Sequence, residues 1–544
     1  MQITILDGYV DEPSCLGVPP YISPYVRYAA GAVRDAGHEY QYLTIDQWRK
    51  GKNIEGETLL IITGAVVPGR YLRGMPISFK EFSKITSSFK GVKILGGAAA
   101  TYGIGEGGRK KPRKWNELVD YSVKNDADAF IFDYLNGEIS DRRRSVGEWK
   151  RWSILGAEIA KVHPDFPDVL IAEVETYRGC IRYFTGGCSF CMEPLFGKPL
   201  MRETLDIIEE VKVLYSVGVR NFRLGCQSCF YSYGASGIGK REVPEPNVDA
   251  IKKLLEGIKR NAPELKVLHI DNVNPAVVAE YPDKSMKITE LIKQYCTSGN
   301  TAALGMETAD LEVIKRSNLN ATPDQVMEAI KIINEVGKDR GENGMPCFLP
   351  GLNILYGLPG ESTETYSKNY NFLKEVMDAG LLLRRINIRQ AVPIRFQEVK
   401  INRKKFVDFK KAVNERVNRP MLMKIVPYGT ILRDVFLEIN KGNSTFGRQI
   451  GTYPLLVGLP YKECVGKFVD VKIKGYGYRS ITGLEYPLRV NYASMNAIEN
   501  LPHIGRKRAI RIMSGRPFKN FEELIKKMDE NFKKEEVAEW ISFK

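Results

Sequence analysis

Histidine is almost missing: 544 residues contain four, His38, His163, His269 and His503. Chemistry that runs on imidazole as base or metal ligand is therefore disfavoured from the start. No run approaches the roughly 18 uninterrupted apolar residues that a membrane span needs. The first residues, Met1 to Asp7, have no basic segment before the apolar stretch, so the expectation is a cytoplasmic protein without a secretory signal. Nine cysteines are too few and too uneven for a disulfide scaffold. Cys180, Cys188, Cys191, Cys226 and Cys229 crowd together, while Cys15, Cys296, Cys347 and Cys464 stand alone. In a reducing compartment such clustering points to metal binding or catalysis. A composition of 43% hydrophobic and 27% charged residues excludes a disordered chain.

What is plentiful is positive charge, and it is localised. Lysine and arginine number 80 against 65 acids, a formal +15. Between Arg384 and Lys424 lie 13 basic residues and three acids (Glu398, Asp408, Glu415), so this window supplies +10 of the total. A solvated basic helix is the ordinary explanation of such a run; a polyanion-binding surface is the other.

At roughly 150 residues per domain, this length suggests three or four domains. Residues 1–140 alternate short apolar runs (Ile3 to Leu6, Leu59 to Thr63, Val92 to Leu95, Ala129 to Phe132) with helical stretches such as Tyr25 to Ala36. The runs end in glycine or small residues, as in a Rossmann-like parallel α/β sheet. Residues 141–173 read as a linker. Residues 174–395 repeat the alternation, with strand ends at Gly225, Asp271, Gly305, Leu355 and Ile388, which suggests a full or partial (β/α) barrel. Residues 396–428 read as a basic linker. Residues 429–492, with alternating Phe468-Val469-Asp470-Val471-Lys472-Ile473, suggest a small β-barrel, and 493–544 a helical hairpin domain.

The sharpest chemical signal is Thr176-Tyr177-Arg178-Gly179-Cys180, seven residues, then Cys188-Ser189-Phe190-Cys191. Three thiolates in one loop after a strand suit three irons of a cubane cluster and leave the fourth iron open. Zinc is the alternative, but three cysteines without a nearby fourth ligand make a poor closed zinc site.

The loop resembles that of the radical SAM superfamily, whose three cluster cysteines carry an aromatic just before the last. Here the first gap is seven residues instead of the usual three. The resemblance continues through Gly305-Met306-Glu307-Thr308, Gly357-Leu358-Pro359-Gly360-Glu361 and Arg389 to Pro393. It implies a [4Fe-4S] cluster on Cys180, Cys188 and Cys191, an electron donor, and reductive cleavage of S-adenosylmethionine to a radical that abstracts hydrogen. It also implies a cosubstrate site shaped by Phe190, Gly225, Gln227, Glu307, Gly357 and Gly360. Gln227 stands where relatives often carry a glutamate for the methionine amine. The neighbouring Cys226-x-x-Cys229 reads as half of an auxiliary cluster, a redox couple or two packed thiols.

The N-terminal segment resembles the cobalamin-binding domain that precedes many such enzymes, without its Asp-x-His-x-x-Gly loop, which leaves cobalamin open. The stretch Gly466 to Arg479 resembles the barrel appended to tRNA methylthiotransferases (TRAM/OB-like), and Ile498 to Ala509 a helix-hairpin-helix with His503 in place of its first glycine. These resemblances imply an RNA partner, tRNA favoured, with Lys467, Lys472, Arg506, Lys507 and Arg508 on phosphates. The expected activity is methyl or methylthio transfer. The alternatives are radical chemistry on a protein side chain or cofactor precursor, and a non-catalytic nucleic-acid-binding iron–sulfur adaptor.

Overall fold

The computed structural model describes all residues except 13, 66–70, 106–111, 115–116, 394 and 398. Its N-terminal sheet has five parallel strands, Ile3–Asp7, Tyr40–Thr44, Thr58–Ile62, Val92–Gly96 and Tyr121–Ser122, in the spatial order second, first, third, fourth, fifth. That is a doubly wound order, with its crevice at the carboxyl ends of the first and third strands. Both faces are covered, as parallel strands require. Leu6, Ile61 and Leu95 pack with Phe82 and Ile85 of the helix Phe79–Ser88. Ile5, Leu60 and Ile94 face Val26, Ala29 and Val33 of the helix Pro24–Asp35 on the other side.

Two expectations change here. The run Ala129 to Phe132 is helical, within Ala127–Leu135, and the fifth strand is Tyr121–Ser122. A four-residue apolar run does not distinguish a buried helix from a strand. The stretch expected as a linker holds the helix Val146–Leu155, opened by a Ser145/Glu148 capping box, with Trp149 and Trp152 buried. Glycine permits this packing: a Cβ on Gly31 would stand 2.1 Å from the Trp152 carbonyl oxygen.

The central domain is an open barrel of parallel strands. One half is Tyr21–Ile22, Ile171–Glu175, Asn221–Gly225 and Val267–Ile270; the other is Asn272–Val273, Asn300–Glu307, Phe348–Tyr356 and Arg385–Gln390. Its first edge strand is lent by the N-terminal segment. Buried pairs, Arg27 with Glu210 and Arg144 with Asp126, Asp128 and Glu175, join the two parts.

The basic segment 396–428 is also helical, over Arg403–Val413 and Arg419–Ile425. Phe406, Phe409 and Val413 are buried while Arg403, Lys404, Lys405 and Lys411 face solvent. A closed five-stranded barrel follows: Ile431–Lys441, Ser444–Gln449, Leu456–Leu459, Phe468–Tyr476 and Ser480–Glu485. Beyond it lie the short helices Met495–Glu499, Arg506–Gly515, Phe521–Ile525 and Lys534–Ala538. The strand Ile541–Ser542 pairs back on Leu488–Arg489.

Residues 451–453, from the closed barrel, bridge the two edges of the open one. The Tyr21 hydroxyl donates to the Gly451 carbonyl (3.1 Å) from one edge, and Arg384, beside the other, donates to the Tyr453 carbonyl (2.7 Å). No helix among the described residues is long and apolar enough to cross a membrane.

Candidate functional site

The cysteine loop leaves the first full barrel strand. Tyr177–Arg178 pairs antiparallel with Leu200–Met201 and closes residues 179–199 into one excursion. Gly179, at φ +100°, turns the chain into Cys180. Cys180 Sγ accepts the Arg182 backbone N–H (3.4 Å), and Arg182 Nη1 lies 3.6 Å from Cys188 Sγ. The Cys191 N–H donates to the Cys188 carbonyl (3.0 Å). Phe190 lies on an apolar patch formed by Val313, Leu319, Leu358 and Ala391.

Residues distant in sequence hold the loop. Arg395 donates to the carbonyls of Cys188 (3.2 Å), Cys191 (2.7 Å) and Gly186 (2.9 Å). The Asn318 amide donates to the carbonyls of Thr185 (3.0 Å) and Gly187 (2.8 Å). Sequence reasoning missed Arg182 and Arg395; their only signal is a basic residue near the loop or near the last strand, which is too common to be informative.

Burial raises all three thiols, Cys188 to about 12 although Arg182 pulls it down, and Cys180 and Cys188 push Cys191 up further. Three thiols on one loop suit three irons of a cubane cluster, with the fourth iron open.

Facing this loop is Glu307, which ends the strand Asn300–Glu307 across a register shift. It adopts φ +63°, a left-handed conformation that is strained for a glutamate. Its Oε2 is buried with no hydrogen-bond partner among the described residues. Burial raises the carboxyl to about 8, against the pull of Arg389. An orphaned carboxylate beside the cysteine loop fits a ligand that brings hydroxyl or ammonium donors, as S-adenosylmethionine does.

The other expected cosubstrate residues are placed as follows. Gln227 is fully buried and internally satisfied: its Nε2 donates to the Leu224 carbonyl (2.9 Å) and its Oε1 accepts from Thr176 (3.1 Å). Gly225 makes room for Glu173, whose Oε1 would lie 1.8 Å from a Cβ there. Gly357 and Gly360, both near φ +90°, shape the turn after the strand Phe348–Tyr356, and the Gly357 N–H donates to Glu361. Cys226 and Cys229 diverge: Cys229 Sγ accepts the Asn274 N–H (3.2 Å), while Cys226 turns toward Cys15.

Of the expected phosphate contacts, Lys472 is removed by the structure. It is buried, donates to the Glu539 carbonyl (3.1 Å) and carboxylate (3.2 Å), and lies over the Trp540 ring. Its alternation in the strand gave no hint that the C-terminal segment would cover it. Lys467 pairs with Glu463 (3.2 Å) and Arg508 with Asp529 (2.5 Å). Arg506 is exposed opposite Glu499, and Lys507 is exposed. His503 adopts φ +58°, and its ring meets Glu536 at 2.5 Å.

Comparison with known proteins gives the family. Residues 174–373 match the Radical SAM superfamily. An uncharacterized protein of Methanocaldococcus jannaschii is 47% identical over 505 residues, covering 88% of this chain and 92% of that protein. A tRNA-2-methylthio-N(6)-dimethylallyladenosine synthase of Clostridium botulinum is 25% identical over 308 residues, covering 55% and 62%. Among solved structures, the cobalamin-dependent S-adenosylmethionine radical enzyme OxsB, with aqua-cobalamin and S-adenosylmethionine bound, aligns with a TM-score of 0.44 at 9% identity; the alignment covers 76% of this chain and about half (55%) of OxsB. With its matched central domain and a near full-length archaeal relative, the chain belongs to the radical SAM superfamily.

Proposed function

We propose that this radical SAM enzyme is a transferase that adds a methyl or methylthio group to an RNA, with tRNA the favoured substrate. Membership of the superfamily brings a [4Fe-4S] cluster and S-adenosylmethionine. Cys180, Cys188 and Cys191 would hold the cluster, which when bound supplies the electron that splits the sulfonium and so initiates hydrogen abstraction.

The chain's own residues then have distinct tasks. Arg182 and Arg395 hold the loop and place positive charge beside thiolates. Glu307 offers its free oxygen to a donor of the cosubstrate. Phe190 and its apolar patch exclude water from the loop's inner side. A low-potential one-electron donor is the further partner.

The observation that carries the RNA reading is the closed C-terminal barrel bridging the open one at residues 451–453, beside the basic helices between Arg403 and Ile425. Positive charge on helices next to the catalytic barrel supports this reading, since a polyanion would bind there by releasing counterions. The methylthiotransferase relative supports the same reaction class.

A corrinoid in the N-terminal sheet would lack a histidine below it. His38 follows the helix that returns the chain to the sheet's amino-terminal edge, away from the crevice. The crevice also holds this chain's own backbone: a Cβ on Gly64 would meet the Asp11 nitrogen at 2.9 Å. No step of the proposed reaction is assigned to a corrinoid.

The test is anaerobic reconstitution, assay of 5′-deoxyadenosine release, and mass spectrometry of RNA from cells lacking the protein. A missing methyl or methylthio nucleoside, restored by the wild-type gene, supports the reading. An unchanged nucleoside profile with active cosubstrate cleavage would redirect the chemistry to a protein or small molecule.

A further inference from the structure

A second group of metal-binding side chains lies outside the cysteine loop. Cys15 sits in a tight turn closed by the Gly17 N–H on the Val10 carbonyl (2.7 Å) and by an antiparallel bridge between Asp11 and Leu16. The turn is fastened to the barrel, because the Cys226 N–H donates to the Ser14 carbonyl (2.6 Å). Cys226 follows the strand Asn221–Gly225 in a left-handed conformation, φ +58°. Its Sγ lies 3.9 Å from Glu173 Oε1 on the neighbouring strand. One ligand atom each from Cys15, Glu173 and Cys226 fall within 4.8 Å of one another, and all three residues are buried.

The buried acids around this group are only partly satisfied. Glu173 Oε2 is buried without a hydrogen-bond partner among the described residues, and so is one oxygen each of Glu12 and Glu175. Leaving a buried carboxylate oxygen unsatisfied is costly, and a thiol is too weak a donor to relieve it. Arg223 is the cation at hand, but it is shared between Glu173 and Asp271. Burial pushes the Cys15 thiol up to about 12 and raises the Cys226 thiol as well. A divalent ion that displaces both thiol protons leaves the net charge of the pocket unchanged and gives the Glu173 carboxylate a second cation beside Arg223.

We propose that Cys15, Cys226 and Glu173 form a second metal site, for a thiolate-preferring divalent ion of the zinc class, which clamps the N-terminal turn to the barrel. Two sulfurs and a carboxylate are a donor set that zinc accepts at spacings of this order. The remaining coordination position falls to water or to the Glu12 or Glu175 carboxylate. The site adjoins the cysteine loop, since Ser14 donates to Glu193 (2.6 Å), two residues beyond Cys191. The proposal is independent of the reaction assigned above.

The experiment uses the full chain carrying C180A, C188A and C191A, which removes the cysteine-loop thiols. After incubation with zinc and gel filtration under anaerobic conditions, elemental analysis is expected to find one zinc per chain. Adding Cys15→Ser or Cys226→Ser is expected to remove it. A misfolded serine variant is bypassed by loading the triple variant with cobalt(II), where thiolate-to-cobalt charge transfer in the near ultraviolet reports the two sulfurs directly. No stoichiometric zinc and no such band would overturn the proposal. So would zinc retained in both serine variants, or a Cys15–Cys226 disulfide in the anaerobic protein.

Discussion

Tyr453 donates its hydroxyl to Asp271 across 182 positions of sequence, at 2.9 Å, while its ring lies 3.9 Å from the Arg385 guanidinium. One side chain of the C-terminal barrel thus fills the seam of the catalytic barrel. Replacing it with phenylalanine keeps the ring and removes one hydrogen bond to a carboxylate. The expected loss is about 1–2 kcal/mol, read as a shift in the urea midpoint with an unchanged slope.

Cys188→Ala is expected to abolish the visible iron–thiolate absorbance and the release of 5′-deoxyadenosine together. Anaerobic optical spectra before and after reconstitution check the first, and chromatography the second. Retention of both would refute the ligand assignment.

Arg395→Met removes three donors to the loop carbonyls while keeping an apolar stem. Iron content after reconstitution is expected to fall severalfold, and air is expected to bleach the remainder faster. A wild-type iron stoichiometry and bleaching rate would show that the loop stands without this anchor.

Glu307 gives a pH dependence of defined sign. Its folded carboxyl lies near 8, above the usual 4.5, so the folded state binds the extra proton. Stability from this group is complete below the unfolded value and is lost as pH rises through about 8. Glu307→Gln is expected to flatten that part of the decline in cosubstrate-free protein. The difference between the two urea midpoints, followed from pH 5 to 9, measures it.

Lys507→Ala is expected to lower the salt dependence of RNA binding by about one unit of slope, with folding unaffected. Lys472→Ala is expected to do the reverse. It loses the contacts to Glu539 and Trp540 and so loosens the chain's end, while the salt slope stays put. Binding isotherms at several salt concentrations, alongside thermal melts, separate the two.

The parts of the site legible in sequence are those made within a few residues. The cysteine spacing, the glycines around it and the small residues at strand ends are local features, and local backbone geometry requires them. The strand ends at Gly225, Asp271, Gly305 and Leu355 fall at or within two residues of the ends of barrel strands or of the break between its halves. Ala129 to Phe132 failed as a strand because a short apolar run has no decisive period. The supposed linkers failed because their polar faces dominate composition, while a few large residues, Trp149, Trp152, Phe406 and Phe409, do the packing.

By itself, then, the order of residues determined the chemistry class: three soft ligands on one loop, on an alternating α/β chain too poor in histidine for most alternatives. Tertiary structure decided which groups are free to act. It assigned Arg395 to the cysteine loop from roughly 200 residues away, internally satisfied Gln227, buried Lys472, and separated Cys226 from Cys229 to join it with Cys15. The physical reason is that ligation and turn geometry act over a few bonds, whereas burial and charge compensation depend on whatever the fold brings alongside.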